Sequence, residues 1–221
     1  VTSLNARARA TSWLGGERVR ATVLVLAQRD GHLRFEAEVS LQGTVAALAT
    51  DGARFEFLDA QKNEVSRGPA CPANVATLVR IPLAPADVAA VLLGDARRPP
   101  GVAPEADVAW DAARGADALT FPTPTGSLRV FFARHGAAVD VVGAEALAAG
   151  RRQWRTSYED FEADGAARLP TTIRFAEAEG SYDDGVEIKL KDHKLGDSPP
   201  DGAFTLAPPP GATVKDVGCG P

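Results

Sequence analysis

Three histidines, two cysteines and the carboxylate pairs Glu159-Asp160 and Asp183-Asp184 are the side chains of this chain with the widest chemical reach. Adjacent carboxylates can hold calcium, which takes several oxygen ligands from flexible loops. Asp183-Asp184, however, precedes Gly185 and reads as turn chemistry, and Glu159-Asp160 reads as a solvated strand end. His32, His135 and His193 lie far apart, two of them beside turns. The sequence contains no HExxH, CxxC, GxSxG, P-loop or GxGxxG motif. No side chain is set up as a nucleophile, and no metal or cofactor is expected. The chain reads as a binding protein and not as an enzyme.

Cys71 and Cys219 form an even pair, one beside an apolar helical stretch and one near the C-terminus. A disulfide between them is expected ahead of two independent thiols, and it suits an oxidising compartment such as the periplasm. Closing so long a loop adds about 3–5 kcal/mol in the chain-entropy account.

These residues must be positioned by an unusual set of elements. Ser3–Thr11 alternates Leu4, Ala6, Ala8 and Ala10 with polar residues, the period-two pattern of a strand with one dry face. Val19, Ala21, Val23 and Val25 continue it, and after the turn at Asp30-Gly31 so do Leu33, Phe35, Ala37, Val39 and Leu41. Further strands follow to Lys191, and a Pro- and Gly-rich tail, 197–221, is expected to run extended along an edge. Against this background Cys71–Gly94 is helical and apolar. Pro72 and Pro85 suit first helical positions and Gly94 a stop. Val75, Leu78 and Val79, then Val88, Val91 and Leu92, repeat at helical spacing.

Roughly eleven strands cannot stay flat, so an antiparallel sheet curled into an incomplete barrel is expected, with two short helices over its concave apolar side. The Pro-rich crossing Arg97–Pro104 is not read as a boundary, because strands resume in the same style beyond it. One domain over 1–221 is expected, with the helical insert at about 72–94.

Composition narrows the function further. A net charge of −5 and a pI near 5.3 argue against a nucleic-acid surface. No apolar run approaches the roughly 20 residues of a membrane span. The chain begins at Val1 without Met, and removal of an upstream segment is expected.

The order of these pieces resembles the LolA/LolB superfamily of bacterial lipoprotein carriers and receptors. Four stretches carry the resemblance: LRFEAEVSLQGTVAAL (Leu33–Leu48), IPLAPADVAAVLLG (Ile81–Gly94), WRTSYEDFEADGAARLPTTIRF (Trp154–Phe175) and AFTLAPPPGATV (Ala203–Val214). Within the superfamily the chain looks most like the LolB-like receptors and the related DUF4292-type lipoproteins, since the carriers' distinctive arginine run is unmatched at Gly31–Ala37. The resemblance implies an eleven-stranded half-barrel with a helical lid. It also implies a monomer at the periplasmic face of the outer membrane, anchored to the inner leaflet by an acylated cysteine upstream of Val1. Acyl chains of lipoproteins or lipids would be the ligands, and a LolA-like carrier a possible partner.

Val23, Val25, Phe35, Ala37, Val39, Val130 and Phe132 are the expected lipid-binding lining, or equally the core beneath the helices. Leu78, Val88, Val91 and Leu92 are the expected lid. Leu41 resembles the loop leucine through which such receptors engage the membrane, or else ends the inward alternation of its strand. Of Trp13, Trp110 and Trp154, all read as sheet packing, Trp110 is the one expected to report on a brominated fatty acid. A periplasmic lipid- or glycolipid-binding module, or a structural lipoprotein with a protein partner, are the alternative functions.

Overall fold

A computed structural model describes residues 2–14, 17–39, 43–95, 107–165, 167–178 and 180–220. They build a single open, curved sheet of fourteen strands. In chain order the strands are β1 (Ser3–Leu14), β2 (Glu17–Gln28), β3 (His32–Val39), β4 (Gly43–Asp51), β5 (Arg54–Asp59) and β6 (Glu64–Pro69). Helices α1 (Pro72–Val79) and α2 (Pro85–Leu92) follow. Strands β7 (Asp107–Asp111), β8 (Ala116–Thr123), β9 (Gly126–His135), β10 (Ala138–Ala148), β11 (Arg151–Asp164), β12 (Ala167–Glu177), β13 (Val186–Leu195) and β14 (Thr213–Asp216) complete the chain.

The spatial order is β14-β6-β5-β4-β3-β2-β1-β13-β12-β11-β10-β9-β8-β7. Thus β1 and β13 join the two halves at the middle, antiparallel, while every other pair except β14–β6 is a sequential antiparallel neighbour. The sheet is wider than the expected eleven strands. One addition is β14, a tail segment that pairs in parallel with β6.

Period-two alternation sets which side chains face inward. Ala6, Val25, Phe35 and Leu48 lie opposite one another across β1 to β4 and form one buried row. From the other half, Ile173 and Phe175 of β12 and Ile188 and Leu190 of β13 join the same core. The two helices fill part of the hollow these faces make.

Helix α2 is a plug. Val88, Ala89 and Leu92 are fully buried, and both its ends are held. At its start, a Cβ on Gly31 would lie 2.9 Å from the Ala86 nitrogen, so the β2–β3 turn needs glycine both for this close approach and for its φ of 93°. At its end, the Tyr158 hydroxyl donates to the Asp95 carbonyl at 3.1 Å and Arg29 pairs with the Asp95 carboxylate at 2.5 Å. Burial raises the Tyr158 hydroxyl well above the ordinary tyrosine range, so it stays a donor.

The outer face departs from the simple wet-face expectation. Ala47 and Ala49 of β4 and Leu58 of β5 are apolar and covered by Leu206 of the tail. Arg34 donates to the carbonyls of Ala203 and Thr205 at 2.8 and 3.0 Å, and the Leu206 amide donates to Glu56 at 2.6 Å. The tail therefore straps the outer face of β3–β5, rounds the edge as β14 and reaches Cys219. Cys219 is disulfide-bonded to Cys71, the N-cap residue of α1, with 6.0 Å between their Cα atoms.

Glu159-Asp160 is exposed, as expected, but lies within β11 and not at its end. Thr171 and Thr172 hydroxyls donate to the Asp160 carbonyl and carboxylate at 2.6 and 2.7 Å, and Glu159 pairs with Arg174. Asp184 sits in a short 3-10 turn, Tyr182–Asp184, in keeping with turn chemistry.

Candidate functional site: the apolar cavity

The helices cover only part of the concave face. Along β2 the inward residues Ala27, Val25 and Val23 are buried, Ala21 is half-buried and Val19 is 53% exposed. Strand β3 repeats the gradient: Leu33, Phe35 and Ala37 are buried, while Val39 is 45% exposed. So the same apolar face is core at one end of the strands and bare at the other. The bare part forms a cavity of about 660 Å³, within the range of small-ligand sites.

Its floor is Ala8 and Ala10 of β1, Val23 and Val25 of β2, Phe35 and Ala37 of β3, Phe175 of β12 and Ile188 of β13. One wall is the C-terminal end of α1, Ala76 to Val79, with Arg80 after it; the other includes Trp13, Glu177 and Asp184. A pocket of Ala, Val and Phe with charges only towards its exposed parts suits an aliphatic chain. Each CH₂ it takes from water contributes about 0.8 kcal/mol.

The expected lining divides by strand. Val23, Val25, Phe35, Ala37 and Val39 all line the cavity. Val130 and Phe132 do not: they belong to β9, three strands beyond β12, where Val130 is buried opposite Leu119 and Ala144. Alternation identified their type of face but not their distance from the hollow. Of the expected lid, Leu78 lies on the cavity wall, whereas Val88, Val91 and Leu92 of the plug are packed in the core. Leu41 lies outside the described residues. Trp110 is 65% exposed on the edge strand β7 and away from the cavity, so Trp13 takes its place as the internal probe.

Ala21, Phe175, Ile188, Arg20 and Arg80 also line it. Period-two alternation marks Phe175 and Ile188 as inward on their strands, but only the β1–β13 pairing reveals that they face Val23 and Val25 across one hollow. Among the described residues, no three His, Cys, Asp or Glu side chains are grouped to hold a metal ion. None of the helices among them is long and apolar enough to cross a membrane.

No protein-family model matches the sequence. No curated protein is significantly similar to it. Solved structures are. A LolA superfamily protein from Nitrosomonas europaea superposes with a TM-score of 0.61 at 15% identity, covering 93% of this chain and 90% of its own.

The chain has the LolA-like fold.

A putative outer membrane lipoprotein-sorting protein domain from Vibrio parahaemolyticus gives a TM-score of 0.62 at 9% identity, over 92% of this chain and 89% of the other. A DUF1329 family protein from Desulfovibrio piger gives 0.59 at 11% identity, over 92% and 90%. With nearly full coverage on both sides, the LolA-like fold accounts for the whole sheet and not for one half of it.

Proposed function

We propose that the protein binds the acyl chains of lipoproteins or lipids in its concave cavity and performs no catalysis. The observation that carries this reading is the uncovered end of the β1–β3 inner face, an apolar hollow of about 660 Å³ walled by α1. Likeness to a lipoprotein-sorting domain and to a LolA superfamily protein supports the ligand class. Apolar burial alone supplies the affinity, so transfer needs only a better-fitting destination and no nucleotide.

Within that reading we place the chain on the receptor-like, LolB-type side, acting as one domain at the periplasmic face of the outer membrane through an upstream lipid anchor. The resemblance of Leu33–Leu48 to the receptor's strand–loop–strand supports this, with Leu41 as the membrane-contact residue. The disulfide between Cys71 and Cys219 agrees with an oxidising compartment.

Mass spectrometry of what leaves with the natively purified protein tests the ligand class. Acylated protein or fatty acyl lipid is the expected cargo. Glycolipid alone would favour a glycolipid-binding module, and a ligand-free protein that also fails to take up added fatty acid would contradict the proposal. For the receptor assignment, Leu41→Glu should impair lipoprotein delivery; intact delivery would refute that role of the loop.

A further inference from the structure

One charged residue on the cavity wall sits oddly for its place. Arg80 follows the last residue of α1 with φ 59° and ψ 26°, a left-handed conformation that glycine adopts freely and arginine does not. Its amide donates to the Ala76 carbonyl, so the backbone is held there by the helix end. The side chain is exposed, lines the cavity and makes no ion pair among the described residues. Several other arginines are paired, among them Arg7 with Glu38, Arg67 with Glu56, Arg114 with Glu145 and Arg168 with Asp140, while Arg20 of β2 is a second exposed arginine on the cavity lining without an ion pair among the described residues. A guanidinium left unpaired beside an apolar hollow is available to something that enters it.

The opposite wall has the reverse sign. Glu177, next inward position after Phe175 on β12, and Asp184 are exposed carboxylates on the same cavity, both without an ion pair among the described residues. Arg80 caps α1, which packs over β4, whereas Glu177 is on β12, beyond β1 and β13 in the sheet order, and Asp184 is in the turn between β12 and β13. The cavity is therefore apolar along its floor, with Arg80 alone at the α1 side and Arg20, Glu177 and Asp184 among the residues lining it elsewhere.

Resting on the acyl-binding reading, we infer that the cavity selects amphiphiles with an oxyanion head, and that Arg80 is the residue that binds that head. The aliphatic chain lies on Val23, Val25 and Phe35. The carboxylate or phosphate meets the planar donor fork of Arg80, and repulsion from Glu177 and Asp184 holds it to that side. The left-handed backbone at Arg80 is that of the helix C-cap, and it sets where the side chain leaves α1.

Calorimetric titration of the full chain with dodecanoate, dodecyl phosphate and dodecanol separates the possibilities. Both anions should bind about threefold to tenfold more tightly than the alcohol, the size expected of one partly exposed charge-assisted contact. Whichever anion is preferred identifies the head as carboxylate or phosphate. Arg80→Ala and Arg80→Gly should lose that preference while keeping dodecanol affinity, and Arg80→Lys should keep part of it. Arg80→Gly adds a readout that a merely structural role would reverse: its thermal midpoint should be no lower than that of the parent chain, because glycine relieves the left-handed strain. Equal binding of all three amphiphiles by the parent chain overturns the inference alone. Failure of all three to bind overturns the cavity reading and this inference with it.

Discussion

At the scale of single residues, the account turns on which small side chains leave the hollow open. Ala21 is half-buried, faces inward from β2 opposite Ala10 and lines the cavity. Ala21→Phe should fill space that is empty, so its stability should change by less than about 1.5 kcal/mol, below the usual penalty for overpacking a filled core. Affinity for dodecanol should nonetheless fall at least tenfold in a binding titration. By contrast, Val25 is buried under the helices as well as flooring the cavity, and Val25→Ala should cost stability first.

At the scale of elements, the two helices that look alike in sequence do different work. Leu92 of α2 is fully buried, and Leu92→Ala should lower unfolding free energy by about 2–5 kcal/mol in denaturant titration. Leu78 of α1 is only partly buried and faces the hollow, so Leu78→Ala should cost less than about 1.5 kcal/mol while weakening acyl binding. Both helices were legible from their prolines, Gly94 and helical spacing, and so was the inward set of β1 to β3. What spacing does not encode is coverage. Val19 and Val39 continue the same alternation as Val25 and Phe35, yet they are exposed, because the helices reach only part-way along the strands. Val130 and Phe132 show the complementary gap. Their alternation is of the same kind, but lateral distance from the hollow depends on the strand order, which a run of consecutive hairpins leaves open until β1 pairs with β13.

At the scale of the whole molecule, the tail makes the lid part of a closed circuit. It straps the outer face of β3–β5, extends the sheet through β14 and returns to the start of α1 by the disulfide. The bridge closes a span of 148 residues, which in the chain-entropy account contributes about 5 kcal/mol as an upper value. Cys71→Ser/Cys219→Ser should therefore unfold at lower denaturant concentration. It should also exchange the α1 amides faster than those of α2, whose C-terminal end is held independently by Tyr158 and Arg29 through Asp95. Equal exchange in the two helices would show that the tail does not anchor α1.

The claim on which all three scales depend is that an acyl chain enters the hollow bounded by β1–β3, β12, β13 and α1. Trp13 lines that hollow, and a chain carrying Trp110→Phe and Trp154→Phe retains it as the sole indole fluorophore. Titration with dodecanoic acid brominated near its methyl end should quench Trp13 saturably, and adding Ala21→Phe should abolish the effect. Unquenched Trp13 at ligand concentrations that saturate binding, or quenching indifferent to Ala21→Phe, would contradict the account.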